Sequence, residues 1–126
     1  MKKIIVILFL FIYPTNSIAH IEHYIKYNKI EMEIFRNGEL IGYNYYFLSR
    51  KGDETIVKNQ IKFSVKLLGA TIFQVEGYGE EKYLKDQLIS YDSKTLQNNK
   101  KKFVNLIFDE NKNKFNIKFI LIFIKN

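Results

Sequence analysis

Alternation of apolar and polar side chains constrains this chain more than any other feature of its sequence. It is clearest from Val57 to Leu67, where apolar residues occupy most of the odd positions and polar residues the even ones. Successive side chains of a β-strand point to opposite faces, so a period of two predicts a strand with one buried face. The chain is therefore expected to fold as β-sheet.

The same pattern recurs in six further segments that are separated by turn signals. Asn37-Gly38 is the strongest of these signals, because both central positions of a tight hairpin turn need positive φ. Gly69 ends the strand that begins at Val57, and at residues 85–87 a turn is preferred over a short helix. The predicted strands cover residues 30–34, 39–50, 57–67, 72–83, 88–95, 103–108 and 115–124.

Two of these segments depart from the ordinary pattern. Gly77 and Gly79 lie inside the fourth, which predicts a β-bulge or a sharp bend. The seventh, Phe115 to Ile124, is strongly apolar, and an unpaired apolar strand invites aggregation. Residues 117–124 are therefore expected either to close the sheet in a central position or to belong to a shortened version of a longer chain.

Seven consecutive strands joined by short turns predict an all-β fold. We expect a curved antiparallel meander that forms an open or partial β-barrel, because one apolar face needs cover and the sequence offers no clear amphipathic helix to supply it. Residues 20–126 are expected to form a single β-rich domain, since their number matches the usual size of one domain.

The first 19 residues have the layout of a secretory signal peptide. Lys2 and Lys3 supply a positive start, residues 4–13 are apolar, and small residues precede a cleavage site after Ala19. The apolar run is shorter than the roughly 20 residues that span a bilayer. The sequence therefore predicts export to the periplasm, with no transmembrane anchor in the mature chain.

Cysteine is absent from the sequence, which excludes disulfides, a thiol nucleophile and a bacterial lipid anchor on cysteine. The net charge is +7, and it is +5 once the predicted signal peptide has taken Lys2 and Lys3. Such a charge could attract an anionic partner, and Lys100 to Lys102 with Lys112 and Lys114 could touch lipid headgroups. Solvated lysines in a proteome with A/T-rich codons are the preferred interpretation. Nucleic acid is not expected as a partner, because the protein is predicted to be exported.

No catalytic motif is present. A local acidic group could supply acid–base chemistry if one carboxylate were buried, but its members are expected on solvent-facing strand positions and turns. We therefore expect no enzymatic activity and no cofactor. The acidic group consists of Glu76, Glu80, Glu81, Asp86 and Asp92.

Two histidines stand at the predicted mature N-terminus. The free amine and imidazole of His20, with the imidazole of His23, offer nitrogen ligands that Cu(II) favours. An unstructured leader that happens to hold two histidines is the preferred interpretation, so no metal site is expected.

Several short blocks between Ile30 and Lys101 resemble an exported bacterial family classed as domain of unknown function 6134. The resemblance implies an open β-barrel similar to curved-sheet envelope proteins that hold lipids, and it supplies no activity. Family members tend to continue with further strands, so residues from about 111 onward are expected to be truncated or shifted in frame. The blocks are Phe35 to Gly42, Phe63 to Gly69, and Glu80 to Tyr83 followed by Leu88 and Ser93-Lys94-Thr95.

The function expected from these observations is non-enzymatic binding of an apolar or amphipathic envelope molecule such as a lipid. The alternative is a structural or protein-interaction β module with no small-molecule ligand. A one-residue change of register would move the whole apolar set to the other face. Alternation assigns the following residues to the binding face: Ile61, Phe63, Val65, Phe73, Val75 and Tyr83.

Overall fold

The computed structural model of the chain describes residues 26–124. The predicted signal peptide, His20 and His23 lie outside the described residues. All regular structure in residues 26–124 is β-strand, which confirms the all-β prediction. This part of the chain contains no helix that is long and apolar enough to cross a membrane. The strands are β1 Lys29–Arg36, β2 Glu39–Lys51, β3 Glu54–Leu67, β4 Ala70–Leu84, β5 Gln87–Gln97, β6 Lys100–Asp109 and β7 Lys114–Phe123.

The seven strands form one antiparallel sheet in the order β1-β2-β3-β4-β5-β6-β7, so the predicted meander is confirmed. The sheet is open, with β1 and β7 at its two edges. Each edge strand pairs with one neighbour in the described part of the chain. The alternative in which residues 117–124 take a central position is therefore wrong: a meander adds each strand beside the preceding one, which leaves the seventh strand at an edge.

Tight turns produce this simple order, because five of the six connections are two residues long. Asn37 and Gly38 have φ values of 51° and 81°, which confirms the predicted hairpin turn. Lys85 and Asp86 also have positive φ, 48° and 64°, so the predicted turn forms there and the alternative short helix does not.

The predicted bulge at the two glycines of β4 is wrong. The pairing of β4 with β3 and with β5 runs without a shift past Gly77 and Gly79. These glycines instead leave room for neighbouring side chains. A Cβ on Gly77 would lie 3.0 Å from Cγ2 of Ile61, and one on Gly79 would lie 3.4 Å from the ring of Tyr91. Shifts in register occur elsewhere, at Ile34/Phe35, Val65/Lys66 and Lys82/Tyr83.

Residues directly opposite each other in an antiparallel pair point to the same face, so the register divides the side chains into two sets. The apolar face carries Ile30, Leu48, Val57, Ile61, Phe63, Val65, Phe73, Val75, Tyr83, Val104, Leu106, Ile117 and Phe119. The mixed face combines aromatic, aliphatic and charged residues: Tyr43, Tyr45, Phe47, Lys58, Gln60, Lys62, Glu76, Tyr78, Glu80, Asp92, Lys94, Phe103, Asn105, Lys118 and Ile120.

The buried core is small and lies on the apolar face. Leu48 and Val57 face each other across β2 and β3, with 8% and 9% of their surfaces exposed. They are the buried hydrophobic residues of the described part of the chain. No second layer of secondary structure covers the apolar face within residues 26–124. Most apolar side chains are therefore shielded only by their neighbours on the same face.

Candidate functional site

Five of the six predicted binding residues come together on the apolar face. Phe63 lies opposite Val75, and Val65 lies opposite Phe73, across the β3–β4 pair. The rings of Phe63 and Phe73 are 5.9 Å apart, centroid to centroid, and tilted by 42°. Ile61 completes this group, which we call the Phe63 cluster. All five side chains are half-buried, so the cluster is a partly open apolar surface.

Tyr83, the sixth predicted residue, shares the face but not the cluster. It is eight residues from Val75 along β4, which corresponds to about 26 Å in an extended strand. It lies diagonally across from Val57, in the same region as Leu48. Tyr83 is on the same face as the other five predicted residues, but it lies near the opposite end of β4.

The Tyr83 hydroxyl donates a hydrogen bond to Oε2 of Glu81 at 2.5 Å. Burial of the phenol, followed by the hydrogen bond and the negative charge of Glu81, raises the pKa of Tyr83 well above its ordinary value. Tyr83 therefore stays protonated and holds the carboxylate of Glu81 on the apolar face. This contact is structural.

A belt of small and polar residues separates the Phe63 cluster from the Leu48–Val57 core. The Nδ2 of Asn59 donates to Oδ1 of Asn44 at 2.5 Å and to the carbonyl oxygen of Tyr45 at 3.1 Å. The apolar face is thus two apolar areas with polar atoms between them. The other residues of the belt are Gly77, Gly79, Ser93 and Thr95.

Two clefts of the described chain lie mainly along the mixed face. The larger has a volume of about 800 Å³ and receives side chains from all strands between β2 and β7. The second, of about 540 Å³, is lined by β2 to β5 and includes Ile61, Phe63 and Val75 of the Phe63 cluster. Both volumes lie within the range of small-molecule sites. The clefts share Gln60 and Tyr78, so they lie next to each other.

Sequence reasoning missed the larger cleft because its walls come from six strands that are far apart in the chain. Their proximity depends on the register of five strand pairs, which the sequence pattern does not specify. One local signal was available: Tyr78 is an aromatic residue between two glycines on a strand whose neighbouring even positions are charged. The main lining residues missed are Phe47, Tyr78, Lys94, Phe103, Lys118 and Ile120.

The acidic group predicted from the sequence does not converge on one point. Glu76 lies 3.6 Å from Nζ of Lys62, and Glu80 lies 3.6 Å from Nζ of Lys58, all on the mixed face. Glu81 points to the apolar face, and Asp86 is in the β4–β5 turn.

The remaining carboxylate of the acidic group, Asp92, accepts a hydrogen bond from Nδ2 of Asn105 at 2.6 Å. Across residues 26–124 there is no group of three or more histidine, cysteine or carboxylate side chains that could hold a metal ion. Asp92 lies directly opposite Glu80 across β4 and β5, so these two carboxylates are neighbours, whereas Glu81 and Asp86 lie elsewhere.

The basic cluster is also divided. Lys100 to Lys102 open β6, where Nζ of Lys102 donates to Oε1 of Gln97 at 2.6 Å. Lys112 lies in the loop after β6, 3.6 Å from Asp109. Lys102 and Lys112 therefore have different local partners.

The geometry of residues 26–124 defines a class of protein: a single-layer, all-β module in which an open antiparallel meander presents one apolar face and one face with clefts. The family model described as Domain of unknown function (DUF6134) matches residues 32–119, and the chain belongs to this family. This match confirms the resemblance predicted from the sequence blocks. The comparison with curated proteins finds no match, and neither does the comparison with solved structures.

Proposed function

We propose that this protein is a non-enzymatic binding module for an apolar or amphipathic molecule of the bacterial envelope, such as a lipid. The observation that carries the proposal is the apolar face, which no second layer covers within residues 26–124. A large apolar face with no covering layer is uncommon in a protein without a ligand or partner. A bound apolar molecule would supply the missing layer.

The composition of this face supports an amphipathic ligand in particular. The Phe63 cluster offers half-buried aromatic and branched side chains to an acyl chain, while Asn44 and Asn59 offer polar atoms close by. A partial barrel, formed by further curling of the sheet around the ligand, is part of this proposal.

Native mass spectrometry of the exported protein tests the proposal. We expect additional mass that organic extraction removes and that is identified as lipid in the extract. Phe73→Ala should reduce the bound fraction severalfold, because it removes one of the paired rings. Ile72→Ala, next to it in the chain and 52% exposed, is the matched control and should retain the ligand. A ligand-free protein of unchanged fold would contradict the proposal.

A second candidate function, a protein-interaction β module, is favoured by β7. All ten residues of this edge strand are exposed, including Phe119 at 58% and Ile117 at 68%. An edge with free backbone groups and apolar side chains can pair with a strand of another chain. Sedimentation velocity distinguishes this function: Ile117→Lys should abolish association if β7 is the contact, and should change nothing if it is not.

The cellular location of the protein is part of the same proposal. We infer export through the segment 1–19 and a mature protein in the periplasm that starts at His20. N-terminal sequencing of the exported protein tests this inference, and a retained Met1 would contradict it. The carboxylates of the acidic group have no role in the proposed function, so Glu81→Gln should leave ligand binding unchanged.

A further inference from the structure

The larger cleft is built from two adjacent rows of side chains that cross the mixed face. The register aligns the residues of each row from strand to strand. The first, which we call the aromatic row, consists of Gln60, Tyr78, Lys94, Phe103 and Ile120. The second, the charged row, consists of Phe47, Lys58, Glu80, Asp92, Asn105 and Lys118.

Packing within the fold does not account for the presence of the two rings in the aromatic row. Tyr78 is 55% exposed, and its hydroxyl makes no hydrogen bond within residues 26–124. Tyr78 and Phe103 lie on strands separated by β5, so their Cα positions are about 10 Å apart. They form two flat apolar platforms in one cleft. Lys94 stands between them, with its Nζ 6.0 Å from the centroid of the Phe103 ring.

The charges of the cleft are only partly neutralised by each other. Lys58 lies 3.6 Å from Glu80, and Asp92 accepts a hydrogen bond from Asn105. Neither Lys94 nor Lys118 forms an ion pair in the described part of the chain. The cleft therefore combines two ammonium groups free to meet an anion with carboxylate and amide oxygens that accept hydrogen bonds.

This combination discriminates between classes of ligand. An acyl chain over the charged row would desolvate Glu80 and Asp92 without replacing their hydrogen bonds, which is costly. A nucleic acid would bring its phosphates close to the same two carboxylates. A sugar ring has an apolar C–H face for an aromatic platform and hydroxyls that donate to carboxylates. An acidic sugar adds an anionic group for Lys94 or Lys118.

We infer that this cleft binds an acidic carbohydrate. Sugar rings lie on Tyr78 and Phe103, their hydroxyls contact Asp92 and Asn105, and their acidic groups pair with Lys94 and Lys118. This site lies on the opposite face from the Phe63 cluster, so it goes beyond the proposed function and does not depend on it.

Isothermal titration calorimetry of the full chain with linear tetragalacturonate tests the inference. Maltotetraose is the neutral probe of equal length, and palmitate is the apolar probe. We expect the acidic oligosaccharide to bind more tightly than the neutral one, and its affinity to fall with added salt because ion pairs at exposed sites are screened. Palmitate should not compete for the site.

Variants locate the site. Tyr78→Ala should weaken tetragalacturonate binding about tenfold, the equivalent of losing about 1.4 kcal/mol. Lys94→Met retains the apolar stem and should abolish most of the preference for the acidic probe. Two controls should bind as wild type: Phe35→Ala removes an aromatic residue that is 56% exposed and outside the cleft, and Lys51→Gln removes an exposed amine.

The inference is overturned by absence of binding, by equal affinity for the two oligosaccharides, or by a Tyr78→Ala variant with unchanged affinity. Phe73→Ala separates this inference from the proposed function. It should reduce lipid retention without changing the affinity for tetragalacturonate, so either proposal can fail while the other stands.

Discussion

Strand β7 is richer in apolar residues than β3, seven of ten against six of 14, yet it is the more exposed of the two. In β3, Val57 is 9% exposed, and the apolar residues from Ile61 to Val65 are half-buried. In β7, all ten residues are exposed. β3 pairs with β2 and β4, which have 13 and 15 residues, whereas β7 pairs with β6 alone. An apolar side chain in this sheet is buried by neighbouring strands on both sides, so its position in the strand order decides its contribution to stability.

A second difference separates the two faces of β3 itself. Its odd-numbered residues point to the apolar face, whereas Lys58 and Lys62 point to the mixed face and remain exposed. A central position therefore does not bury the lysine side chains of the mixed face. The contrast between centre and edge, and between the two faces, leads to four predictions of decreasing size.

Among the glycines of the sheet, Gly42 of β2 is approached most closely by its neighbours. A Cβ there would lie 2.2 Å from the carbonyl oxygen of Lys62 and 2.4 Å from Cβ of Phe63. Gly42→Ala should therefore lower the free energy of unfolding by about 3 kcal/mol, since backbone and Cβ atoms cannot move aside cheaply. Urea denaturation measures the loss. Gly79→Ala is the control, because the nearest atom is a ring carbon of Tyr91 at 3.4 Å and little change is expected. Equal effects of the two substitutions would show that the close approach at Gly42 does not determine the loss of stability.

Truncation of one apolar residue at the centre and one at the edge tests the comparison directly. Leu48→Ala should cost about 2 kcal/mol, the lower end of the range for a buried leucine, because one layer leaves the cavity easy to close. Ile117→Ala, at a position 68% exposed, should cost less than about 0.5 kcal/mol. The measurement is the midpoint of chemical denaturation. A large loss for Ile117→Ala would mean that β7 is covered in solution.

The hydrogen bond from Tyr83 to Glu81 adds a pH-dependent contribution on the apolar face. The pKa of Tyr83 is raised on folding by burial first and by Glu81 second. This contribution is complete below the unfolded pKa of about 10 and is lost as the pH rises toward the folded pKa. Tyr83→Phe should lower the free energy of unfolding at pH 7 by about 1 kcal/mol.

A comparison of wild type and Tyr83→Phe between pH 8 and pH 11 isolates this contribution, because all other groups are shared. Wild type should lose more stability than the variant above pH 10. Parallel pH profiles would exclude a shifted tyrosine at this position.

The smallest effect is expected on the mixed face of the central strand. Lys62 and Glu76 are 3.6 Å apart, and their side chains are 76% and 52% exposed. Lys62→Ala should therefore change the free energy of unfolding by less than about 0.5 kcal/mol. This result would show that the exposed face of β3 contributes as little as the edge strand. A loss as large as that of Leu48→Ala would show that the mixed face contributes as much to stability as the apolar face.

Much of the fold could be predicted because its elements are local. The alternation from Val57 to Leu67 specifies a strand, and Asn37-Gly38 specifies a tight turn, without reference to distant residues. The bulge predicted at Gly77 failed because a glycine in a strand has two uses. It can relax the backbone, or it can make room for a neighbour such as Ile61, and only the packed sheet distinguishes them.

The candidate sites also show that a sequence pattern predicts local features but not contacts between distant strands. Alternation placed Ile61, Phe63, Val65, Phe73 and Val75 on one face, and the β3–β4 hairpin brings them together because its pairing is local. Tyr83 shares their face but lies far from them along β4, because a period of two carries no information on distance along a strand. The larger cleft, lined from Phe47 on β2 to Ile120 on β7, could not be predicted from the sequence because six strands form its walls.

The amino-acid sequence alone determined the strands, most of their turns, the alternation of side chains within each strand and the family. These properties depend on side-chain type and on spacing over a few residues. The tertiary structure alone decided that β7 stays exposed, that only Leu48 and Val57 among the described hydrophobic residues are buried, and that six strands line one cleft. The physical reason is that burial and clefts depend on which strands become neighbours and in which register, and this requires the whole sheet.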